Sequence, residues 1–488
     1  MPINSFLYPA PSTPTFAYQV ANSLRLDEPS NQGLTKTPSG AGNRKTFTLS
    51  IWVKRAKITN QTGDVQTMFE SRASNNDNCA LTFQTDDTLS IKLKVSGTNK
   101  SLITDRVFRD VSAWYHLVCA VDTTQSTASS RVKIYVNGEQ ENSFGTENYP
   151  SQDAQTSFNN SVGHGIGKRS DTTSQNFDGY FTEVVMIDGQ ALDPTSFGEF
   201  DSDSPNIWKP KDVSGLTFGT NGFHLDFEDS SALGNDVSGN NNDYSVTNLS
   251  AVNQSIDTCT NNFATFNSLI TFPSNPPDFS EGNLKVETID SDPGHFGGAS
   301  TIGVSQGKWY FESTSLSSRE IVTAGGGTIS HAVGIHSDPS EAARQGTSFS
   351  PQFTGGFIYA LNGKIYSTAT GTSGASYGST YAHNDIIGVA IDLDNNKLYF
   401  SKNGTFQNSG DPTSGSTGTG ALSITTGLTY FAFVTDVGGS AVTSSINFGS
   451  PINSISSGNS DSEGFGNFAH SVPSGYFSLC SSNLAEYG

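Results

Sequence analysis

One strand-turn unit recurs in the two halves of this chain, and that repeat constrains the fold more than any other feature. In the first copy the run Trp114-Tyr115-His116-Leu117-Val118-Cys119-Ala120-Val121 ends at Asp122, and Lys133-Ile134-Tyr135-Val136 then leads into Asn137-Gly138. In the second, Ile386-Ile387-Gly388-Val389-Ala390-Ile391 ends at Asp392, and Lys397-Leu398-Tyr399-Phe400-Ser401-Lys402 leads into Asn403-Gly404. Asn-Gly is a strong hairpin signal, because a type I′ turn needs positive φ at both central residues and these two residues tolerate it best. Each copy describes two neighbouring strands closed by a tight turn. The chain therefore reads as an all-β protein of two sandwiches, a plan that points to binding before catalysis.

Composition agrees with that class. Hydrophobic residues make up 34% of the chain and charged residues 15%, so Gly, Ser, Thr and Asn fill much of the rest, as in many short strands joined by turns. The 32 Phe and 16 Tyr are more apolar rings than a disordered chain would carry. A net charge of -20 with no Lys/Arg cluster argues against nucleic acid as a partner. Cys79, Cys119, Cys259 and Cys480 form no CxxC pair, which signals neither a zinc knuckle nor a disulfide frame; Cys119, inside an apolar strand, is expected to be a small core residue. No run approaches the roughly 18 apolar residues that span a bilayer, and the N-terminus lacks a basic then apolar leader. Synthesis in a cytoplasm, no conventional export signal and no membrane insertion are the resulting expectations.

Five stretches follow. Residues 1–20, with Pro2, Pro9, Pro11 and Pro14, read as an extended arm whose Phe6, Leu7, Tyr8, Phe16 and Tyr18 dock on a neighbouring subunit or partner. Residues 21–205 form the first sandwich, in which Thr46 to Val53 alternates with period two as a half-buried strand does. Residues 206–280, rich in Asn, Asp and Ser, read as a connector; 281–450 form the second sandwich and 451–488 a C-terminal tail.

These motifs support two family resemblances. Thr46 to Lys54, Trp114 to Asp122, Lys133 to Gly138 and Phe177 to Leu192 resemble the marker segments of laminin G-like, concanavalin A-type domains. Gly307 to Glu312, Asp385 to Asp392, Lys397 to Gly404 and Ile446 to Gly449 resemble those of SPRY domains. The resemblance implies two concanavalin A-like jelly-roll sandwiches. The segments Asn221 to Phe227, Leu233 to Asn240 and Asn261 to Asn267 are similar to those joining such modules in virion proteins of tailed phages. That resemblance implies a tail fibre or similar appendage, made in the host cytoplasm and carried on the virion. It would dock on other virion proteins through the arm, form a homo-oligomer with a trimer favoured, and bind host-surface glycans or proteins. A capsid-attached fibre or decoration protein is the alternative within this class, and a glycan depolymerase the alternative outside it.

Few residue patterns in the chain point to catalytic chemistry. Glycoside hydrolysis needs two carboxylates flanking the bond, and no ExDxE is present; Asp226, Glu228 and Asp229 in LDFED read as a solvated turn edge. Gly163, Gly165, Gly167 and Lys168 miss the phosphate-loop spacing and are expected to let a strand pass beneath bulky neighbours. No HExxH and no GxSxG occur. No catalytic residue is assigned. Asp236, Ser238, Asn240 and Asn242, with Asp243 adjacent, alternate along a Gly-containing loop and are candidate oxygen ligands for calcium, or an Asx-rich turn satisfying its own backbone. Tyr377 and Tyr381 are candidate ligand contacts, since a ring can stack on a sugar face, or they cover a core edge.

Overall fold

The alternation in Thr46–Arg55 decides the first core: Phe47, Leu49, Ile51 and Val53 point into it, and Thr48, Ser50, Trp52 and Lys54 to the other face. The computed structural model describes residues 17–58, 63–270, 276–288, 296–317, 329–340, 355–437 and 442–488. Phe6, Leu7, Tyr8 and Phe16 of the expected arm lie outside them.

The chain is all-β, with two sandwich modules. In the first, one antiparallel sheet runs Glu139–Gln140, Val132–Val136, Trp114–Asp122, Thr46–Arg55, Gly179–Asp188, Ser23–Leu26, Gln254–Ser255, and Phe223–Leu225 also pairs with Gly179–Asp188. The opposing sheet runs Phe144–Glu147, Thr98–Val107, Thr88–Val95, Asn78–Phe83, Gln66–Arg72, Gly163–Ile166, Gly33–Lys36, Ser245–Thr247. Cys119 is buried between them, as expected. Asn137 and Gly138 adopt φ of 49° and 84° and close Val132–Val136 onto Glu139–Gln140, the tight hairpin that the sequence signals.

Three stretches differ from the sequence reading. Thr46–Arg55 is buried on both faces, not one, because residues 206–280 wrap its outer side. That stretch does more than connect: Phe223–Leu225, Ser245–Thr247 and Gln254–Ser255 all extend the first sandwich. Residues 451–488 are likewise no loose tail. Phe468 and Tyr476 are buried against Tyr310 and Tyr399, Phe477–Ser478 pairs parallel with Lys308–Ser315, and the helix Ser481–Tyr487 follows. Aromatic residues spaced through a Gly/Ser-rich background find a surface to cover, and burying each ring is worth about 2 kcal/mol.

The second module packs the sheet Asp278–Ser280, Lys285–Glu287, Thr443–Asn447, Lys308–Ser315, Ile386–Asp392, Lys397–Lys402, Thr405–Phe406 against Phe296–Val304, Tyr430–Val437, Ile329–His336, Gly356–Ala360, Lys364–Ser367, Ala375–Ser376. Asn403 and Gly404, at φ 48° and 79°, repeat the first module's turn. The modules also touch. Arg25 of the first donates to the carbonyls of Pro451 and Ile452 and pairs with Glu281 at 3.1 Å, and the Tyr180 hydroxyl donates to the Gly282 carbonyl.

Candidate functional site

The outward face of the second sheet of the first module carries a polar trough. Its strands send Cys79, Leu81, Phe83, Leu89, Ile91 and Leu93 inward, so the intervening residues face out. In Gln66–Arg72 a bulge between Thr67 and Phe69 turns both Met68 and Phe69 to the core and brings Thr67, Glu70 and Arg72 onto the outer face. Strand register then sets the rungs. Gly165, Glu70, Ala80, Lys92 and Ser101 form one, and Thr67, Thr82, Ser90 and Ile103 another. Ala80, with one methyl group, sits between long side chains at Glu70 and Lys92. The depression over it has a volume of about 180 Å³, with Arg169 and Gln175 from the following loop among its walls.

The glycines expected to ease a close approach do so at this rim. A Cβ on Gly165 would lie 2.3 Å from the Lys168 carbonyl oxygen, and one on Gly167 2.4 Å from Leu26. The loop can therefore fold back over the strand. Its Ser170 donates from N and Oγ to Glu70 Oε1 at 2.8 and 2.9 Å, fixing the carboxylate. Arg169 donates from Nε and Nη2 to Asp171 at 3.1 and 3.0 Å. Arg72 Nε lies 3.2 Å from Asp171 Oδ2 and 3.6 Å from Glu70 Oε2. Lys92 is half-buried, and burial first, then the charge of Arg72, lowers its pKa below the ordinary value.

Three cations, the Glu70 carboxylate and the side chains of Thr82, Gln84, Ser90 and Asn99 line this trough with donors and acceptors at many angles, and the Asp171 carboxylate bridges Arg72 and Arg169 beside it. Both carboxylates are engaged by guanidinium groups, so neither stands free as an acid opposite a base. A Ser–His contact exists elsewhere, with Ser50 Oγ 2.8 Å from His116 Nε2, but it is fully buried. The Trp208 indole N–H donates to His116 Nδ1 at 2.9 Å, which leaves Nε2 as the protonated nitrogen, and burial holds the ring's pKa at about 3. That imidazole is neutral and structural, and its second nitrogen has no carboxylate.

The residues singled out from sequence fall elsewhere. Tyr377 and Tyr381 are 9% and 3% exposed and belong to the second core, which corrects their reading as ligand contacts. The Tyr381 hydroxyl donates within reach of the His331 and Tyr359 carbonyls, and both rings pack on Tyr359. Around Asp236 the hydrogen bonds are those of the Asx-turn alternative. Its carboxylate accepts from the backbone N–H of His224, Ser238 and Asn242 and from Ser238 Oγ, while Asp243 accepts from Asp236 N. Asn240 and Asn242 turn their amide N–H groups to the Gly222 carbonyl. Among the described residues no three His, Cys, Asp or Glu side chains come together as a metal site. Asp226 and Asp229 cap their own turns, as expected of a solvated edge. Tyr18, the described end of the expected arm, donates to Glu183 Oε2 of its own chain at 3.2 Å.

Sequence reading did not find Glu70, Arg72, Lys92 and Arg169. The alternation of Ser90, Lys92 and Lys94 with Leu89, Ile91 and Leu93 marks a polar face, but only register shows which residues on other strands share it.

Other cavities offer less chemistry. One of about 260 Å³ near Leu233 and Tyr244 has Asp243 as its charged residue; another of about 220 Å³ in the second module has Glu312. Glu312 already accepts from the Ala469 and His470 backbone N–H groups.

Comparison with known families assigns both modules. Residues 29–196 match the family described as the concanavalin A-like lectin/glucanases superfamily, in its laminin G type, and residues 308–434 match the SPRY domain; both domains are present in this chain. No curated protein matches the chain. Similar solved structures include a putative carbohydrate binding protein from Bacteroides ovatus, 16% identical over 48% of this chain and 61% of that one, with a TM-score of 0.30. A heptameric SAP-like pentraxin from Limulus polyphemus is 16% identical over 36% of this chain and 80% of its own, at 0.27. The SPRY domain of human HERC1 is 16% identical over 33% and 87%, at 0.24.

Proposed function

We propose that this chain is a non-catalytic binding subunit whose first sandwich holds a saccharide in the trough over Ala80. The observation that carries this reading is the rung Glu70-Ala80-Lys92, where a small residue between two long polar ones opens a depression lined by hydrogen-bonding groups. Sugars present hydroxyls in many directions, and fixed polar side chains around a preformed hollow suit them. The lectin-like class of the first domain supports the same reading.

In its wider setting the chain is a tail-fibre or appendage subunit of a tailed phage, displayed on the virion and contacting host-surface glycans. The support is the similarity of the segments Asn221 to Phe227, Leu233 to Asn240 and Asn261 to Asn267 to module-joining segments of such virion proteins. Weak single-site contacts would gain strength from many copies.

Two measurements test this. A glycan array probed with the purified full chain should give saccharide binding that the Ala80→Trp variant, which fills the hollow, loses without losing its fold. Cryo-electron microscopy of virions should place the chain on the tail. Density on the capsid lattice would replace the fibre with a decoration protein, and turnover of an array glycan would replace binding with hydrolysis.

A further inference from the structure

We propose that the trough selects acidic saccharides, holding a carboxylate or sulfate group between Lys92, Arg72 and Arg169. This rests on the saccharide reading above and names the ligand class of the same site.

The whole chain carries -20, yet three cations line the trough against the Glu70 carboxylate within it and the Asp171 carboxylate beside it. Glu70 is committed to Ser170 and Arg72, and Asp171 is shared by Arg72 and Arg169. One positive charge is left over.

That charge is Lys92. Among the described residues no carboxylate lies within 4.0 Å of its ammonium group and none accepts a hydrogen bond from it, although it stands on the sheet face between Ala80 and Ser101. An ammonium that is half-buried beside two guanidinium groups and unpaired is costly to keep charged. Its lowered pKa reports that cost. An incoming oxyanion would relieve it by supplying the missing counter-charge. Arg72 contributes as well, since its buried Nε makes no hydrogen bond of good geometry despite its two carboxylate neighbours. A planar guanidinium suits carboxylate and sulfate oxygens, and the charge-assisted bonds that result are stronger than those to a hydroxyl.

Lys92 lies next to Ala80, so its charge borders the hollow and does not project into open solvent. Screening by salt is weaker there than at a fully exposed lysine.

The test is isothermal titration of the full chain with three oligosaccharides of similar length: an oligogalacturonate, its neutral methyl ester and a sulfated galactan fragment. We expect one or both charged ligands to bind, the neutral ester to bind at least tenfold more weakly, and affinity to fall as salt is raised. Lys92→Met, which keeps the apolar stem, should weaken the charged ligand about tenfold, equivalent to about 1.4 kcal/mol, and weaken the neutral one much less. Its melting temperature should stay level or rise, because an uncompensated charge has been removed; a purely structural lysine would lower it. Arg169→Gln should act in the same direction on binding. Equal binding of charged and neutral ligands, or no effect of Lys92→Met on the charged ones, overturns the acidic assignment and leaves saccharide binding standing. Failure of all three to bind overturns both.

Discussion

The Lys54 ammonium lies 2.8 Å from the Asp257 carboxylate, with both side chains 1% exposed. Lys54 also donates to Asn262 Oδ1 at 2.7 Å and to the Phe263 carbonyl at 3.1 Å, and the Trp114 indole N–H donates to Asp257 Oδ1 at 3.2 Å. Burial raises the Asp257 pKa and Lys54 opposes that rise. This network pins a central strand of the first sheet to residues 257–263, which is why that stretch cannot behave as a free linker. Removing one partner strands a buried charge, so Lys54→Met should cost about 3–5 kcal/mol. Lys54→Met combined with Asp257→Asn should cost less than the single change. Thermal denaturation of both variants decides it; additive losses would mean the two residues are not coupled.

Asp178 supplies a pH dependence. Burial raises its pKa to about 7, with Lys57 at 3.9 Å pulling the other way, and its Oδ1 has no hydrogen-bond partner among the described residues. The folded state thus binds this proton more tightly than the unfolded chain. The contribution is complete below the ordinary carboxylate value of 3.8 and is lost as pH rises towards 7. Melting temperature should therefore decline from mildly acidic to neutral pH. Asp178→Asn should flatten that decline and exceed the parent by on the order of 2 kcal/mol above neutrality. A variant with the parent's slope would assign the proton elsewhere.

Glu183 sits at a bulge with φ of 48°, between the points where Ser23–Leu26 and Phe223–Leu225 join the same strand edge. Its carboxylate meets His224 Nε2 at 3.0 Å. Burial lowers the His224 pKa, but the Glu183 hydrogen bond and charge outweigh it and the net shift is upward. The stabilisation from this raised pKa is complete below 6.5 and lost as pH rises through the folded value. In Glu183→Gln burial is left dominant, so the imidazole should titrate below 6.5, with about 1–2 kcal/mol lost at acidic pH. Proton NMR titration of the ring checks the direction, and an unmoved titration would remove Glu183 as the cause.

Tyr381 accounts for the failure of the aromatic-contact reading. Its ring packs on Tyr359 and its hydroxyl is also 2.9 Å from His331 Nδ1, inside the second core. Tyr381→Ala should destabilise that module by about 3–5 kcal/mol, as loss of a buried ring does, and leave saccharide binding by the first module unchanged. Denaturant unfolding followed beside array binding separates the two effects.

The two Asn-Gly hairpins, the inward alternation of Phe47, Leu49, Ile51 and Val53, and the assignment of Cys119 to the core were all legible in the sequence. Each depends on residues adjacent along the chain: turn φ preferences and the two-residue period of a strand are local properties. The same local rules offered two readings around Asp236, a cage or a self-satisfied turn, and neither could show that His224 donates its backbone N–H to that carboxylate from twelve residues away. The trough lay beyond local reading altogether. Glu70, Ala80 and Lys92 become neighbours only through the register of three strands and the bulge at Thr67 to Phe69, and a shift of one residue would turn Lys92 into the core. Sequence determined that there would be two sandwiches of alternating strands closed by Asn-Gly turns. Tertiary structure alone decided which polar residues share a hollow, because cross-strand pairing is set by the whole sheet.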